Sequence, residues 1–162
     1  MKSSHGKRSL REGVHSVRAD EAQTLVDVWE ASVRATHAFL SEADIQSLKP
    51  LVLERLRGLE HLLCVRDLEG ALVGFVGLDG GKIDALFVHP SWHRMGVGRR
   101  LTEHAVEELG ATTVDVNEDN EQAIAFYLRL GFQIEGRSEL DSTGRPFPLL
   151  HMRRTREAKE SS

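Results

Sequence analysis

The amino-acid sequence predicts a mixed β-sheet flanked by helices, in the α/β or α+β class. Three observations carry this expectation. Apolar residues recur at helical spacing in about four segments, and about seven short runs between them are β-branched or alternating. The early extended runs follow one another across short turns, as hairpins do. The later ones alternate with helical patterns, as strand–helix–strand units do.

The elements follow in chain order. Val14 to Arg18 reads as a short strand. Asp20 then resembles an N-cap, followed by Ala22, Leu25, Val26, Trp29 and Val33 on one helical face. Ile45, Leu48, Val52, Leu56 and Leu59 mark a second helix with Gly58 near its end. Pro50 lies inside that pattern and predicts an interruption with a restart, since proline suits a first turn and not an interior. His61 to Arg66 and Ala71 to Gly77 read as a hairpin about the turn Asp67–Gly70. Asp79, Gly80 and Gly81 turn the chain into the strand Ile83–Val88. Val97, Leu101, Ala105 and Leu109 form the face of a helix that Gly110 ends. Thr112 to Val116 reads as a buried strand. Ala123, Phe126, Tyr127 and Leu130 belong to a helix that stops at Gly131. Phe132–Ser138 and Phe147–Arg153 are the last two strands, joined through Asp141–Pro146.

Bulk properties narrow the function. The 162 residues suit one domain, expected over residues 13–154 with loose tails at 1–12 and 155–162. Net charge is −4, which argues against nucleic acid as the main partner. No apolar run approaches the ~20 residues of a membrane span, and the polar start lacks the apolar stretch of a signal peptide. Cys64 is the single cysteine, so no internal disulfide forms, and a cytoplasmic location is expected. The eight histidines do not cluster with it at zinc spacing, so no metal is expected.

The most informative stretch is Val88-His89-Pro90-Ser91-Trp92-His93-Arg94-Met95-Gly96-Val97-Gly98-Arg99-Arg100-Leu101. It leads from a buried strand through a loop into the first turn of a helix. Unpaired N–H groups and the helix dipole make such a turn a phosphate site. Gly96 and Gly98 let backbone approach a diphosphate, and Arg94, Arg99 and Arg100 add positive charge. The loop is not a Walker A, because no Gly-Lys-Ser/Thr follows. It is not the dinucleotide fingerprint, because Arg100 and Leu101 stand where a third glycine belongs. An ordinary helix entry is the alternative reading.

This segment resembles the acetyl-coenzyme A signature of the GNAT superfamily, Gln/Arg-x-x-Gly-x-Gly/Ala after a strand ending Val-x-Pro. His93 takes the Gln/Arg position. A second block, Asn120-Glu121-Gln122-Ala123-Ile124-Ala125-Phe126-Tyr127-Leu128-Arg129-Leu130-Gly131-Phe132, resembles the family's Asn-x-x-Ala-x-x-Phe-Tyr-x-x-x-Gly-Phe. The likeness covers about Val14 to Arg153. With Gly136-Arg137-Ser138-Glu139 and Pro146-Phe147-Pro148-Leu149-Leu150, it extends to small bacterial single-domain N-acetyltransferases of the peptidyl-lysine type.

The resemblance implies a GNAT-type acyl-CoA N-acyltransferase fold, with a mostly antiparallel mixed sheet. It implies acetyl-CoA as acyl donor and a primary amine, small molecule or protein lysine, as acceptor in a ternary complex. Leu86, Phe87 and Val88 would hold the pantetheine arm, and His93, Arg94, Met95, Gly96, Val97, Gly98 and Arg99 the diphosphate. Asn120 would fix the arm, though N-capping fits it equally. Tyr127 stands at the family's acid position, with core packing beside Phe126 as the alternative. Lys82 replaces a glutamate frequent in the family, and Asp84, on the same strand face, becomes the first candidate base. Glu118, Asp119 or water are the alternatives. His37, Phe39 and Asn117 are expected in the acceptor pocket. A non-catalytic acyl-CoA-binding module is the competing reading, and the chain is expected as monomer or homodimer.

Overall fold

The computed structural model describes residues 9–155. The expected tails therefore lie largely outside the described residues. Residues 9–11 are hydrogen-bonded: Leu10 bridges Asp67, Arg11 N–H donates to Arg66 O, and Leu68 N–H to Ser9 O.

Among the described residues, seven strands form one sheet in the order β1-β2-β3-β4-β5-β7-β6. They are β1 (His15–Ser16), β2 (His61–Arg66), β3 (Leu72–Asp79), β4 (Lys82–Val88), β5 (Thr113–Asn117), β6 (Phe132–Ser138) and β7 (Leu149–Arg154). All neighbours run antiparallel except β4 and β5. The predicted Phe147–Arg153 strand begins later, at Leu149, after Pro148, which has no N–H for a ladder.

Helices α1 (Ala22–Thr36) and α2 (Glu42–Arg57) cover one face. Leu25, Val28, Trp29, Val33, Ile45 and Leu56 pack there on Cys64, Phe75 and Ala85. Helices α3 (Val97–Leu109) and α4 (Glu121–Arg129) cover the other, where Val97, Leu101, Ala105 and Tyr127 meet Val76, Ile83, Val114 and Met152. Strands β2, β3 and β4 serve both clusters by alternation, which is why the central strand β3 is buried on both faces.

Two expectations are corrected. Pro50 does not interrupt α2, which runs through it. Ile45, Leu48, Val52 and Leu56 pack into one cluster across the proline, and a Ser41–Asp44 capping box secures the first turn. Pro50 itself is exposed, so the carbonyl left without its N–H partner lies on the solvent side. Asp20 is not the N-cap of α1. It sits inside a 3-10 turn, Ala19–Glu21, and Glu21 caps the helix without a side-chain cap bond.

Glu21 directs its carboxylate elsewhere. Its oxygens accept from Arg66 Nη1 and Nη2 at 2.7 and 2.8 Å, and from Arg18 N–H at 2.8 Å. Arg66 also donates to Gly70 O and Ser16 O. One buried guanidinium thus joins β2, the β1 end, the β2–β3 turn and the start of α1. The Arg66 hydrogen bonds outweigh burial and hold Glu21 down at about 2, against an ordinary 4.5. The stability this contributes is complete above the unfolded value and is lost as pH falls from about 4.5 towards 2. Arg66→Met is expected to lower stability by about 3–5 kcal/mol, because it strands a buried carboxylate. Urea unfolding at pH 7 measures this, and the deficit should shrink in the same titration at pH 3.

Candidate active site

Strand β4 builds the site. It pairs with β3 along its whole length, from Asp79↔Lys82 to Gly74↔Val88. Its parallel pairing with β5 is confined to Lys82↔Thr113 and Ile83↔Val114. Beyond Ile83 the two strands diverge and open a wedge through the sheet. A cleft of about 1090 Å³ runs along it, lined by both strands and by α1, α2, α3 and α4.

The register decides which β4 groups face the cleft. His89 N–H donates to Val73 O, so alternate residues back along β4 point to β3. Leu86 and Val88 therefore turn N–H and C=O towards the cleft, as expected for an arm-binding edge. Phe87 turns its backbone to β3 and offers the cleft only its ring, which stacks on Phe75 at 5.8 Å. Opposite Gly77 and Leu78 the register shifts, leaving Asp84 as the extra residue of a bulge. The bulge places Asp84 and Ala85 on the α1–α2 face while Ile83, Leu86 and Val88 reach the other cluster.

The loop into α3 follows from local geometry. Arg94 (φ 67) and Gly96 (φ 81) are left-handed, and Gly96 is the N-cap of α3. Arg100 N–H is the first to bond within the helix, to Gly96 O at 2.9 Å. The N–H groups of Val97, Gly98 and Arg99 have no intrahelical acceptor, and these residues line the cleft, an arrangement able to take an anion. Gly98 packs on Phe126, where a Cβ would already lie 3.5 Å from the ring. Gly74 lets α3 sit close on β3, since a Cβ there would come within 2.8 Å of Val97.

Side chains around the loop divide by role. His93 Nε2 donates to Val88 O at 3.0 Å, so it ties the loop to the strand end. Arg99 pairs with Glu103, and Arg100 donates to Arg11 O and Gly13 O and so serves the N-terminal segment. Arg94 lines the cleft and has no partner among the described residues, whereas Met95 is exposed and off its wall.

Tyr127 is buried in a T-shaped contact with Phe126 at 5.0 Å and with Phe132 at 5.4 Å. It also lines the cleft, and its hydroxyl bonds to no described residue. Burial pushes its pKa well above the ordinary value, so the hydroxyl keeps its proton at neutral pH. Core packing and a proton-bearing cleft position thus coexist in one residue.

Asn120 caps α4, its Oδ1 accepting from Ala123 N–H at 3.1 Å. Its Nδ2 lies 3.4 Å from His37 Nε2. Thr36 Oγ1 donates to Ser32 O, so it accepts from His37 Nδ1–H at 2.8 Å. That leaves Nε2 as the acceptor from Asn120. His37 therefore links the end of α1 to the start of α4 across the cleft, and burial lowers its pKa to about 4. Phe39 stacks between His37 and Phe147, behind the wall. Asn117 lines the cleft at the end of β5.

Carboxylates of the acceptor side are engaged. Asp84 takes both Arg55 nitrogens, each at 2.6 Å. A fork of this kind occupies both carboxylate oxygens and leaves neither free to act as a base. Glu118 is paired with Arg137, and neither Glu118 nor Asp119 lines the cleft. The sequence reading missed Asp115, which lines the cleft between Lys82 and His151. Its signal was an acidic residue between Val114 and Val116, on the opposite face of the strand from both. Among the described residues, no group of three or more His, Cys, Asp or Glu could hold a metal ion, and no helix is long and apolar enough to cross a membrane.

The family description "Acetyltransferase (GNAT) domain" matches residues 59–134, which span β2 to the start of β6. Peptidyl-lysine N-acetyltransferase YjaB of Salmonella typhimurium is 42% identical over 83% of this chain and 92% of its own. The chain belongs to the GNAT family of acetyltransferases. The YjaB of Escherichia coli is 43% identical over 83% of this chain and 91% of its own. Its apo solution structure superposes with a TM-score of 0.78, at 40% identity, covering 87% of this chain and 95% of that one. The PaiA N-acetyltransferase of Thermoplasma acidophilum, solved with coenzyme A, shares the fold at a TM-score of 0.65 and 19% identity, over 88% of this chain and 98% of that one. As a GNAT N-acetyltransferase, the chain transfers the acetyl group of acetyl-CoA to an amine. The backbone donors of β4 and the first turn of α3 fit that donor, since one set suits an amide-rich arm and the other a diphosphate.

The His37 link yields a direct test. Its imidazole should stay neutral down to about pH 4, so its NMR resonances should hardly move between pH 8 and 5.5. Because burial disfavours the cation, the folding stability tied to His37 is complete above 6.5 and declines as pH falls towards 4. Asn120→Ala removes the cap and the link together, and should cost about 1 kcal/mol in urea unfolding.

Proposed function

We propose that this N-acetyltransferase acts on the side-chain amine of lysine in a protein or peptide. The observation that carries the reading is the opposite polarity of the two ends of one cleft. At the loop end stand the open N–H groups of α3 and the cations Arg94 and Arg99. Among the remaining lining residues, Glu54, Asp84, Asp115 and Asp141 outnumber Arg55, Lys82 and Arg129. A phosphate-bearing donor suits the first and an alkylammonium the second. The YjaB relatives, 42% and 43% identical, carry peptidyl-lysine in their names.

Acetyl-CoA supplies the activated thioester. Leu86 and Val88 orient the arm through their N–H groups, and the same donors stabilise charge on the carbonyl oxygen during attack. Gly96, Val97, Gly98 and Arg99 hold the diphosphate, with Arg94 beside them. Asn120 offers the arm its amide N–H, held only loosely at 3.4 Å by His37. Tyr127 keeps its proton until a thiolate forms beside it and then donates. Asp84 we assign to positioning through Arg55, which locks α2 to the β4 bulge. The amine's proton leaves through water in the open cleft. Asn117 and His37 stand on the acceptor side, with Phe39 supporting His37 from behind.

Isothermal titration with acetyl-CoA should give micromolar binding by wild type and none by folded Gly96→Glu, which puts bulk and negative charge in the diphosphate site. Tyr127→Phe should bind normally and lose about 100-fold in kcat with poly-L-lysine. Unchanged kcat in Tyr127→Phe would exclude the acid role. Absence of acetyl-CoA binding by folded wild type would overturn the whole reading.

A further inference from the structure

The acceptor end of the cleft holds a chain of polar contacts on the face that α2 shares. Lys82 Nζ lies 2.5 Å from Asp115 Oδ2. Asp115 Oδ1 accepts from His151 Nδ1 at 2.7 Å. His151 Nε2 is 2.6 Å from Ser138 Oγ. The chain crosses β4, β5, β7 and β6 in turn, and its two cleft members are Lys82 and Asp115.

Asp115 and Asp84 differ in what holds them. Asp84 is gripped at both oxygens by a guanidinium fork, which an incoming ammonium replaces poorly. Asp115 has one oxygen fixed from behind by His151 and the other taken by a lysine ammonium on a flexible stem. The Lys82 side chain is 40% exposed and that of Asp115 is 20% exposed, so the pair opens to the cleft. A second primary ammonium arriving there exchanges like for like. The carboxylate loses no partner, and Lys82 moves into water.

The position suits the reaction. Val114 pairs with Ile83, so Asp115 stands level with Asp84, where the strands part. Leu86 is two residues further along β4, about 7 Å away at strand rise. An ammonium on Asp115 would therefore sit close to the thioester carbonyl held at Leu86.

We infer that Asp115 is the subsite for the acceptor's ammonium, that Lys82 occupies it as an internal surrogate, and that His151 holds the carboxylate in position. The inference deepens the acceptor reading above and rests on it. It makes Lys82 a competitor of the substrate, not a structural partner of Asp115.

Kinetics with acetyl-CoA and poly-L-lysine would test it. Lys82→Met should lower the KM for poly-L-lysine about tenfold, with the Kd for acetyl-CoA unchanged. Asp115→Asn should raise that KM, and Lys82→Met with Asp115→Asn should lose the gain. A Lys82→Met enzyme with unchanged or higher KM would overturn the inference. His151→Gln keeps a donor for Asp115 and should shift KM far less than His151→Ala; equal effects would exclude the positioning role. A second measurement does not depend on turnover. Titration of n-butylamine into the coenzyme A complex, which has no acetyl group to transfer, should move the His151 imidazole resonances in wild type, at lower concentration in Lys82→Met, and not in Asp115→Asn. Silent His151 resonances in folded Lys82→Met would reject the subsite even where acetyl-CoA binding upholds the donor site.

Discussion

The site depends on how β4 divides its hydrogen bonds. Along one edge it is committed to β3 from end to end. Along the other it meets β5 at Lys82 and Ile83 and then parts from it. A strand that kept both ladders would leave no gap, and one that kept neither would have no fixed direction. Full pairing on one side holds β4 rigid, so that the unpaired N–H groups of Leu86 and Val88 stand at fixed points on the cleft wall. The bulge at Asp84 adds a change of facing within the same strand. Ile83, Leu86 and Val88 thus pack towards α3 while Asp84 and Ala85 face α2.

The helices then supply each end of the cleft with its charge. On one side α3 starts directly from the end of β4, through a loop with two left-handed residues and His93 pinned to Val88. Its open first turn is aimed at the wedge because Gly74 allows close packing on β3. On the other side α2 is fixed by Arg55 to the bulge, and by Asp44 and Ser47 to Arg145 of the β6–β7 loop. The acceptor wall is therefore assembled from α2, β4, β5 and that loop, with α2 held to β4 and to the loop by charged pairs. Ion pairs at this depth cost desolvation and contribute modestly to stability, but they fix direction. Direction is what a positioned amine needs.

The buried groups of the site stay in defined protonation states for a common reason. Tyr127 and His37 sit where charge is poorly solvated, so the phenol keeps its proton and the imidazole stays neutral. At Asp115, burial works to raise the carboxyl, and the hydrogen bonds from Lys82 and His151 overcome it. The carboxylate thus remains ionised in a half-buried cleft, which suits a group meant to meet a cation.

Much of this was legible in the sequence because it is local. Helical and strand periodicity, the glycine that ends α3, the loop glycines and the block around Tyr127 all act within a few residues of one another. They specified the fold class and pointed to the candidate donor loop and the acid candidate. Expectations failed where a distant contact outweighed a local rule. Pro50 stays helical because residues on both sides of it share one cluster, and Glu21 displaces Asp20 because a buried arginine from β2 meets it. The acceptor side was least legible. Asp84 was visible as a carboxylate on the right strand, but its fork with Arg55 was not. Asp115, Lys82, His151 and Ser138 lie on four different strands, and only the register of the folded sheet puts their side chains on one face. Sequence alone determined the helix entry with its left-handed glycine, because such a loop is a property of a short segment. Tertiary structure decided the acceptor end, because a pairing of side chains from separate strands exists only once the sheet is assembled.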